Sequence, residues 1–328
     1  LEFLKISAIY GANGAGKSNL IKALSNLEEL VVTGMIPKRL INSKFKLSTQ
    51  NQEKGILLGV EFINEGKPYL YAIKIEKSKI VTEELYKSGL GQKENSLIFE
   101  RTRNSKGINQ IKFSEEYEKN EEGKLLKKLI SDSYKTNEKT FINILNELEH
   151  KLLEDVKKAF DWFRTKLVIV EPDSKPSALV HRFKTDQEFN KFTNEMMCSF
   201  HTGIEKVDIE SINLKEFLGE NENIDYQNIR DRLEDDPEQL MGLRSRNEEI
   251  LVTKEDDEIL AHRIFFSHSG QNKDAKFYVD DESDGTQRLL DYIPAFKLIT
   301  EKDTVFVIDE IERSIHPIII KELVKKFS

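Results

Sequence analysis

The chain has 328 residues, of which 50 are basic and 58 acidic, for a formal net charge of −8, and it carries one cysteine. That balance gives no chain-wide electrostatic footprint for nucleic acid, and the lone Cys198 excludes a disulfide framework and fits a reducing, cytoplasmic compartment. No stretch approaches the ~20 apolar residues of a membrane span, no leader peptide is visible, and the length suffices for one large core with an insertion or for two lobes.

In chain order, Leu4-Lys5-Ile6-Ser7-Ala8-Ile9-Tyr10 reads as a buried strand. It leads into Gly11-Ala12-Asn13-Gly14-Ala15-Gly16-Lys17-Ser18, a complete G-x-x-x-x-G-K-S loop. Glycines let the backbone coil around a β-phosphate, Lys17 spans the β- and γ-oxygens, and the Ser18 hydroxyl ligates Mg²⁺. Leu20, Ile21, Leu24, Leu27 and Leu30 then recur at helical spacing, so the loop opens a helix whose N-terminus faces the anion. The candidate nucleotide contacts are therefore residues 11 to 18 together with Asn19, and the cofactors are ATP and Mg²⁺. Guanine recognition by N-K-x-D fails, because Asn272-Lys273-Asp274-Ala275 lacks the spacer.

Residues 55 to 103 alternate apolar and polar residues around the turn Asn64-Glu65-Gly66-Lys67-Pro68 and predict an antiparallel meander. A polar stretch over 114 to 135 reads as a loop or frayed helix; its Lys124, Lys127 and Lys128 are offset by Glu121 and Glu122 and form a solvated face. Phe141, Leu145, Leu148, Leu152, Val156, Ala159 and Phe163 step by three and four and predict one amphipathic helix of about six turns. Because Leu167-Val168-Ile169-Val170 then reads as a strand ended by Glu171-Pro172, a packed helix of an inserted lobe fits better than the base of a coiled-coil arm. A further helix carries Phe189, Phe192, Met196 and Phe200, and the acidic 218 to 236 stretch reads as solvated.

Thr304-Val305-Phe306-Val307-Ile308-Asp309-Glu310 is an apolar run closed by two carboxylates, as a central parallel strand delivers acids to the phosphate end of a sheet. Asp309 is placed to hold Mg²⁺ and Glu310 to polarise the attacking water. Nearly the whole chain lies between Lys17 and Asp309, more than a compact GTPase or a ring-forming AAA+ module places there, and this points to an ABC-type head with a large inserted lobe. The six histidines show no paired metal-ligand spacing. His268, on the strand leading toward residue 281, is a surface or satisfied core histidine, with contact to phosphate or a partner subunit as the sharper alternative. No acidic cluster outside Asp309-Glu310 resembles a two-metal nuclease site.

Asp281-Glu282-Ser283-Asp284-Gly285-Thr286-Gln287-Arg288, just ahead of that pair, resembles the ABC signature, although Asp284 replaces the usual first glycine and Thr286 stands where transporters have Gln or Glu. With Ile9-Tyr10-Gly11-Ala12-Asn13 and Asp309-Glu310-Ile311-Glu312-Arg313-Ser314-Ile315-His316-Pro317, the chain resembles non-transporter ABC ATPases, which include chromosome-maintenance and recombination-repair heads. It is most similar to the prokaryotic branch around the overcoming-lysogenisation-defect (OLD) proteins and phage-defence ATPases. The resemblance implies a composite site, in which Ser283, Gly285 and Thr286 of one subunit reach the γ-phosphate held by another, and it puts His316 at the position of the transporters' D-loop aspartate. The family's opening strands and switch histidine have no counterpart here, as expected of a trimmed chain.

The expected fold is α/β: a central, mostly parallel sheet, an antiparallel β-subdomain and an inserted helical lobe. The expected domains are 1–110, with the phosphate loop and β-subdomain; 111–260, the largely helical insertion; and 261–328, the signature and acidic-pair half. The expected function is ATP hydrolysis with catalytic Glu310, Lys17 and His316 and with metal ligands Ser18 and Asp309. Nucleotide-dependent head association would control a separate effector, such as a nuclease or toxin, in phage defence. The alternatives are an ATP-clamped scaffold with little turnover, or a DNA-repair or chromosome-type head acting directly on DNA; membrane insertion is not expected.

Overall fold

The computed structural model describes residues 4–42, 54–136, 138–219, 226–236, 238–244, 248–272 and 274–327. Positions 220–225 of the acidic stretch and Lys273 of the failed guanine string lie outside the described residues. The chain divides into two compact units, one of Ile9–Ile169 with Thr304–Val307, the other of Leu1–Ala8, Val170–Asp303 and Ile308–Ser328. The boundaries expected at 110/111 and 260/261 fall within strands, Asn109–Phe113 in one case and Glu258–His268 in the other.

The first unit contains α1 (Lys17–Thr33), α2 (Lys38–Ile41) and an antiparallel meander of β1 (Ile56–Asn64), β2 (Lys67–Glu76), β3 (Lys79–Lys87), β4 (Ser96–Arg103) and β5 (Asn109–Phe113), paired in chain order. Its two tightest turns place both central residues at positive φ, Glu65-Gly66 at 50° and 74° and Lys77-Ser78 at 47° and 60°, which matches the twist of the flanking strands. Alternation along β2 sends Tyr69, Tyr71, Ile73 and Ile75 inward, all at most 3 % exposed. The polar stretch after the sheet forms two helices, α3 (Glu115–Lys119) and α4 (Glu121–Ser133), because Ser114 and Asn120 each cap a first turn through a side-chain oxygen.

The single helix expected from Phe141 to Phe163 is broken. Its first piece, α5 (Phe141–Asn146), ends before an extended His150 whose Nδ1 accepts the Leu152 N–H at 3.2 Å, and a 3₁₀ turn over Lys151–Leu153 follows. The chain then resumes as α6 (Glu154–Asp161) and closes in a π-helical turn, Trp162–Lys166. The apolar period survives the break because both pieces bury the same face, with Phe141, Leu145, Val156, Ala159 and Phe163 in one core beside Leu27, Leu30 and Tyr71. Phe62 stacks on Trp162 at 4.2 Å and meets Phe163 edge-on at 5.3 Å. Glu83 on β3 fixes the start of α5: fully buried, it accepts the Phe141 and Ile142 N–H groups at 2.6 and 2.8 Å and the Tyr71 hydroxyl at 3.1 Å, with Arg101 Nη1 at 3.5 Å. Burial pushes its carboxyl above the ordinary range, against the opposing pull of Arg101 and the two amides.

β6 (Leu167–Val170) and β12 (Val305–Ile308) form a two-stranded ladder. The second unit holds α7 (Leu179–Thr185), α8 (Gln187–Ser199), β7 (Ile204–Asn213), α9 (Leu214–Leu218), α10 (Tyr226–Asp235), β8 (Met241–Arg244), β9 (Glu249–Glu255), β10 (Glu258–His268), β11 (Phe277–Tyr278), α11 (Asp284–Glu301) and α12 (Pro317–Phe327). β10 is the shared strand, antiparallel to β7, β9 and β11, and β8 pairs β9. Its side chains alternate between two cores: Ile264 and Phe266 pack with Phe183, Phe189, Met197 and Tyr292, while Ile259 and Ala261 pack with Leu214, Leu218, Ile229 and Leu233. Among the described residues, both five-stranded sheets are antiparallel. No described helix is long and apolar enough to cross a membrane.

Candidate nucleotide site

Leu4–Tyr10 is not the buried strand expected ahead of the phosphate loop. Among the described residues it joins no ladder, and Leu4, Ile9 and Tyr10 are 88, 65 and 91 % exposed. A buried strand needs paired backbone groups and two covered faces, whereas residues 4 to 10 form no ladder and are exposed throughout.

The loop after it folds as its glycines require. Gly14 and Gly16 take φ 79° and 97°, left-handed backbone that costs glycine nothing, and Ala15 N–H closes on the Ala12 carbonyl at 3.1 Å. Gly16 is the N-cap of α1; no side chain caps that end and the first turn holds no acid. The leading N–H groups of α1 are thus left for an anion, as they are not in α8, whose Asp186 caps it. Lys17 folds back so that Nζ donates to the carbonyl oxygens of Gly11 and Ala12 at 2.7 and 3.1 Å, contacts that phosphate oxygens can replace. Residues 11 to 19, with Ser18 in the first turn, fit a magnesium-bound polyphosphate. Among the described residues, no group of three or more His, Cys, Asp or Glu could hold a metal ion.

In the second unit, the signature-like string forms a capped helix start. Ser283 is the N-cap of α11, its Oγ accepting the Thr286 N–H at 3.2 Å and lying 3.1 Å from Thr286 Oγ1. Ser283 is exposed, whereas Thr286 is 5 % exposed and its hydroxyl is engaged by Ser283. A β-carbon on Gly285 would stand 2.6 Å from the Ser314 carbonyl oxygen, so glycine is demanded there by close backbone approach. Arg288, assigned no role from the sequence, is buried: Nη1 and Nη2 donate to the Ser174 and Glu171 carbonyls, both at 3.0 Å, and the guanidinium lies over the Tyr292 ring at 4.5 Å. Its only sequence signal is a charged residue among the apolar positions of α11.

β12 is half-buried rather than central, with Val305 43 % exposed. The strand has one partner among the described residues, β6, so its other edge lacks the cover a central strand has. Asp309 follows the strand directly, is 7 % exposed and donates its N–H to the Val170 carbonyl at 3.0 Å. Glu310 is exposed and holds φ 50°, and Ser314 holds φ 63°, both in the left-handed region that a side chain resists. The turn closes with Arg313 N–H on the Glu310 carbonyl at 2.8 Å, and Arg313 pairs with Asp173 at 2.9 Å. His316 is exposed and heads α12, with Nδ1 accepting the Ile318 N–H at 3.3 Å and its carbonyl accepting the Ile319 N–H at 2.9 Å.

The remaining candidates have partners of their own. His268 meets Glu282, at 2.5 Å. His262, fully buried, lies 2.7 Å from both Ser211 and Thr253, and burial lowers its pKa, assisted by the charge of Lys184. Lys124 pairs with Glu121 at 2.5 Å and Lys127 with Glu118 at 2.6 Å.

The glycine loop, the open start of α1 and the lysine over its own loop carbonyls define a P-loop nucleotide-binding protein. The chain belongs to the family described as "AAA domain, putative AbiEii toxin, Type IV TA system", whose profile matches residues 6–327. It is therefore an ATPase domain of the P-loop class over nearly its whole length. No curated protein matches the chain.

Proposed function

We propose that this chain is an ABC-type ATPase head whose ATP-dependent self-association controls a partner effector, in a toxin–antitoxin or phage-defence setting close to the OLD branch. The observation that carries this reading is the start of α1, where Gly16 replaces a side-chain cap and Lys17 and Ser18 follow. Backbone N–H groups of residues 14 to 18 hold the phosphates, and Lys17 exchanges its Gly11 and Ala12 carbonyls for β- and γ-oxygens. Ser18 and Asp309 are the residues that would hold Mg²⁺, which would neutralise phosphate charge. Glu310 takes the proton of the attacking water as its oxygen bonds the γ-phosphorus and the bond to ADP breaks. Ser283 and Gly285 of a second copy donate to the γ-phosphate. The toxin–antitoxin link comes from the description of the family.

The test mixes two inactive variants. Lys17→Ala removes the phosphate grip and Ser283→Arg blocks the seam between copies, so a mixed dimer contains one site with both lesions and one with neither. Partial recovery of phosphate release supports the composite site; continued inactivity with mixed dimers shown by analytical ultracentrifugation overturns it. ATP binding with no turnover in the unmodified chain would instead select the ATP-clamped scaffold, and ATP-stimulated binding to duplex DNA the chromosome-type head. Growth of a bacterial host expressing the chain with and without its neighbouring open reading frames tests the effector arm.

A further inference from the structure

The turn that presents Ser283 is held from three sides. Asp281 Oδ2 accepts the Tyr278 N–H at 2.8 Å, the Glu282 N–H donates to the Val279 carbonyl at 3.3 Å, and Gln287 Nε2 donates to the Glu282 carbonyl at 2.9 Å. The Glu282 side chain is only 6 % exposed, and His268 Nε2, at 2.5 Å, is its partner. His268 closes β10 at a register irregularity after Ser267, opposite Ile204 of β7. Its ring meets Phe277 edge-on at 5.0 Å, and a β-carbon on Gly203 would come within 3.6 Å of Nδ1. The backbone there is tied back as well, Ser269 N–H donating to the Gly203 carbonyl at 2.9 Å. A surface ion pair of two mobile side chains contributes little. Here the carboxylate is buried and the histidine, 25 % exposed, meets the Phe277 ring edge-on, so loss of the donor leaves a buried carboxylate that must move to reach water.

We propose that His268 is a positioning residue for the signature turn: by donating to Glu282 it ties the end of β10 to the backbone on which Ser283 caps α11 and presents its hydroxyl. The effect on turnover rests on the reading of Ser283 and Gly285 as donors to a second copy's nucleotide. The effect on the turn does not.

Four variants of the full chain test it: His268→Ala, His268→Gln, Glu282→Gln, and the first and third combined. Hydrogen exchange of the Thr286 and Gln287 amides, whose acceptors are Ser283 atoms, is expected to quicken about tenfold in His268→Ala while β2 and β3 stay protected. The kcat for ATP is expected to fall about five- to tenfold with the ATP dissociation constant within about twofold of the unmodified chain. His268→Gln, whose amide can donate to the same carboxylate, should restore most of both. The combined variant should be no worse than the more severe single one, as for two residues acting through one contact. Unchanged exchange in His268→Ala, failure of glutamine to rescue, or additive losses would each overturn the proposal. If the unmodified chain turns over no ATP, the functional reading fails by itself and the exchange measurements still decide whether His268 holds the turn.

Discussion

Gly285, in the first turn of α11, lies so close to the turn after the acidic pair that an added β-carbon would stand 2.6 Å from the Ser314 carbonyl oxygen. The glycine that the signature resemblance assigns to phosphate thus also serves an internal contact, which binds the start of α11 to the segment following Asp309-Glu310 within one unit.

Gly285→Ala separates the two roles. In an open helix this change stabilises by up to about 1 kcal/mol, whereas overpacking against backbone costs about 1–3 kcal/mol. We expect a net loss, read as a lower denaturant midpoint at unchanged slope. A midpoint at or above that of the unmodified chain would show that Ser314 yields freely.

Lys17→Ala should spare the fold, since among the described residues the Lys17 ammonium donates to the Gly11 and Ala12 carbonyls of its own loop. Charge-assisted contacts contribute about 1.5–3 kcal/mol each, so ATP·Mg²⁺ affinity should drop at least about tenfold by calorimetry. Undiminished affinity would remove residues 11 to 18 from the site.

Glu310 stores strain at the position assigned to the base, with φ 50°. Glu310→Gly relieves a left-handed conformation that costs a side chain roughly 1–2 kcal/mol, part of it offset by glycine's unfolded-state entropy. It should melt at or above the unmodified chain while losing hydrolysis. Glu310→Gln keeps the strain and the melting temperature, and hydrolysis should fall by roughly two to four powers of ten with ATP still bound. Normal turnover in either variant would show that another group positions the water.

Glu83 links stability to pH. Burial holds its folded pKa above the unfolded value, so between the two the folded state carries a proton that unfolding releases. Stability from this group is therefore present below the ordinary carboxylate range and is lost as pH rises through the raised value. Glu83→Gln should flatten that decline in a pH series of chemical melts. Glu83→Ala strips the Phe141 and Ile142 amides of their acceptor and leaves buried Arg101 without its carboxylate, at a cost of about 3–5 kcal/mol.

The features legible in the residues alone are local ones. Eight contiguous residues specify the phosphate loop, because Gly14 and Gly16 reach left-handed backbone without penalty and the helix after them has its own apolar stripe. The meander was legible from alternation and from short turns such as Glu65-Gly66, where neighbouring residues decide the geometry. Contacts between residues distant in the chain follow instead from how the segments pack. Gly285 meets Ser314, Arg288 reaches Glu171 and Ser174, His268 meets Glu282, and Glu83 receives Phe141 and Ile142. The period from Phe141 to Phe163 could not announce its break at residues 147 to 153, since two helices facing one core bury the same positions as one helix does. Nor could the apolar composition of Leu4–Tyr10 make it a strand: hydrophobicity states what a segment gains by burial, and ladder partners and covering faces decide whether it is buried.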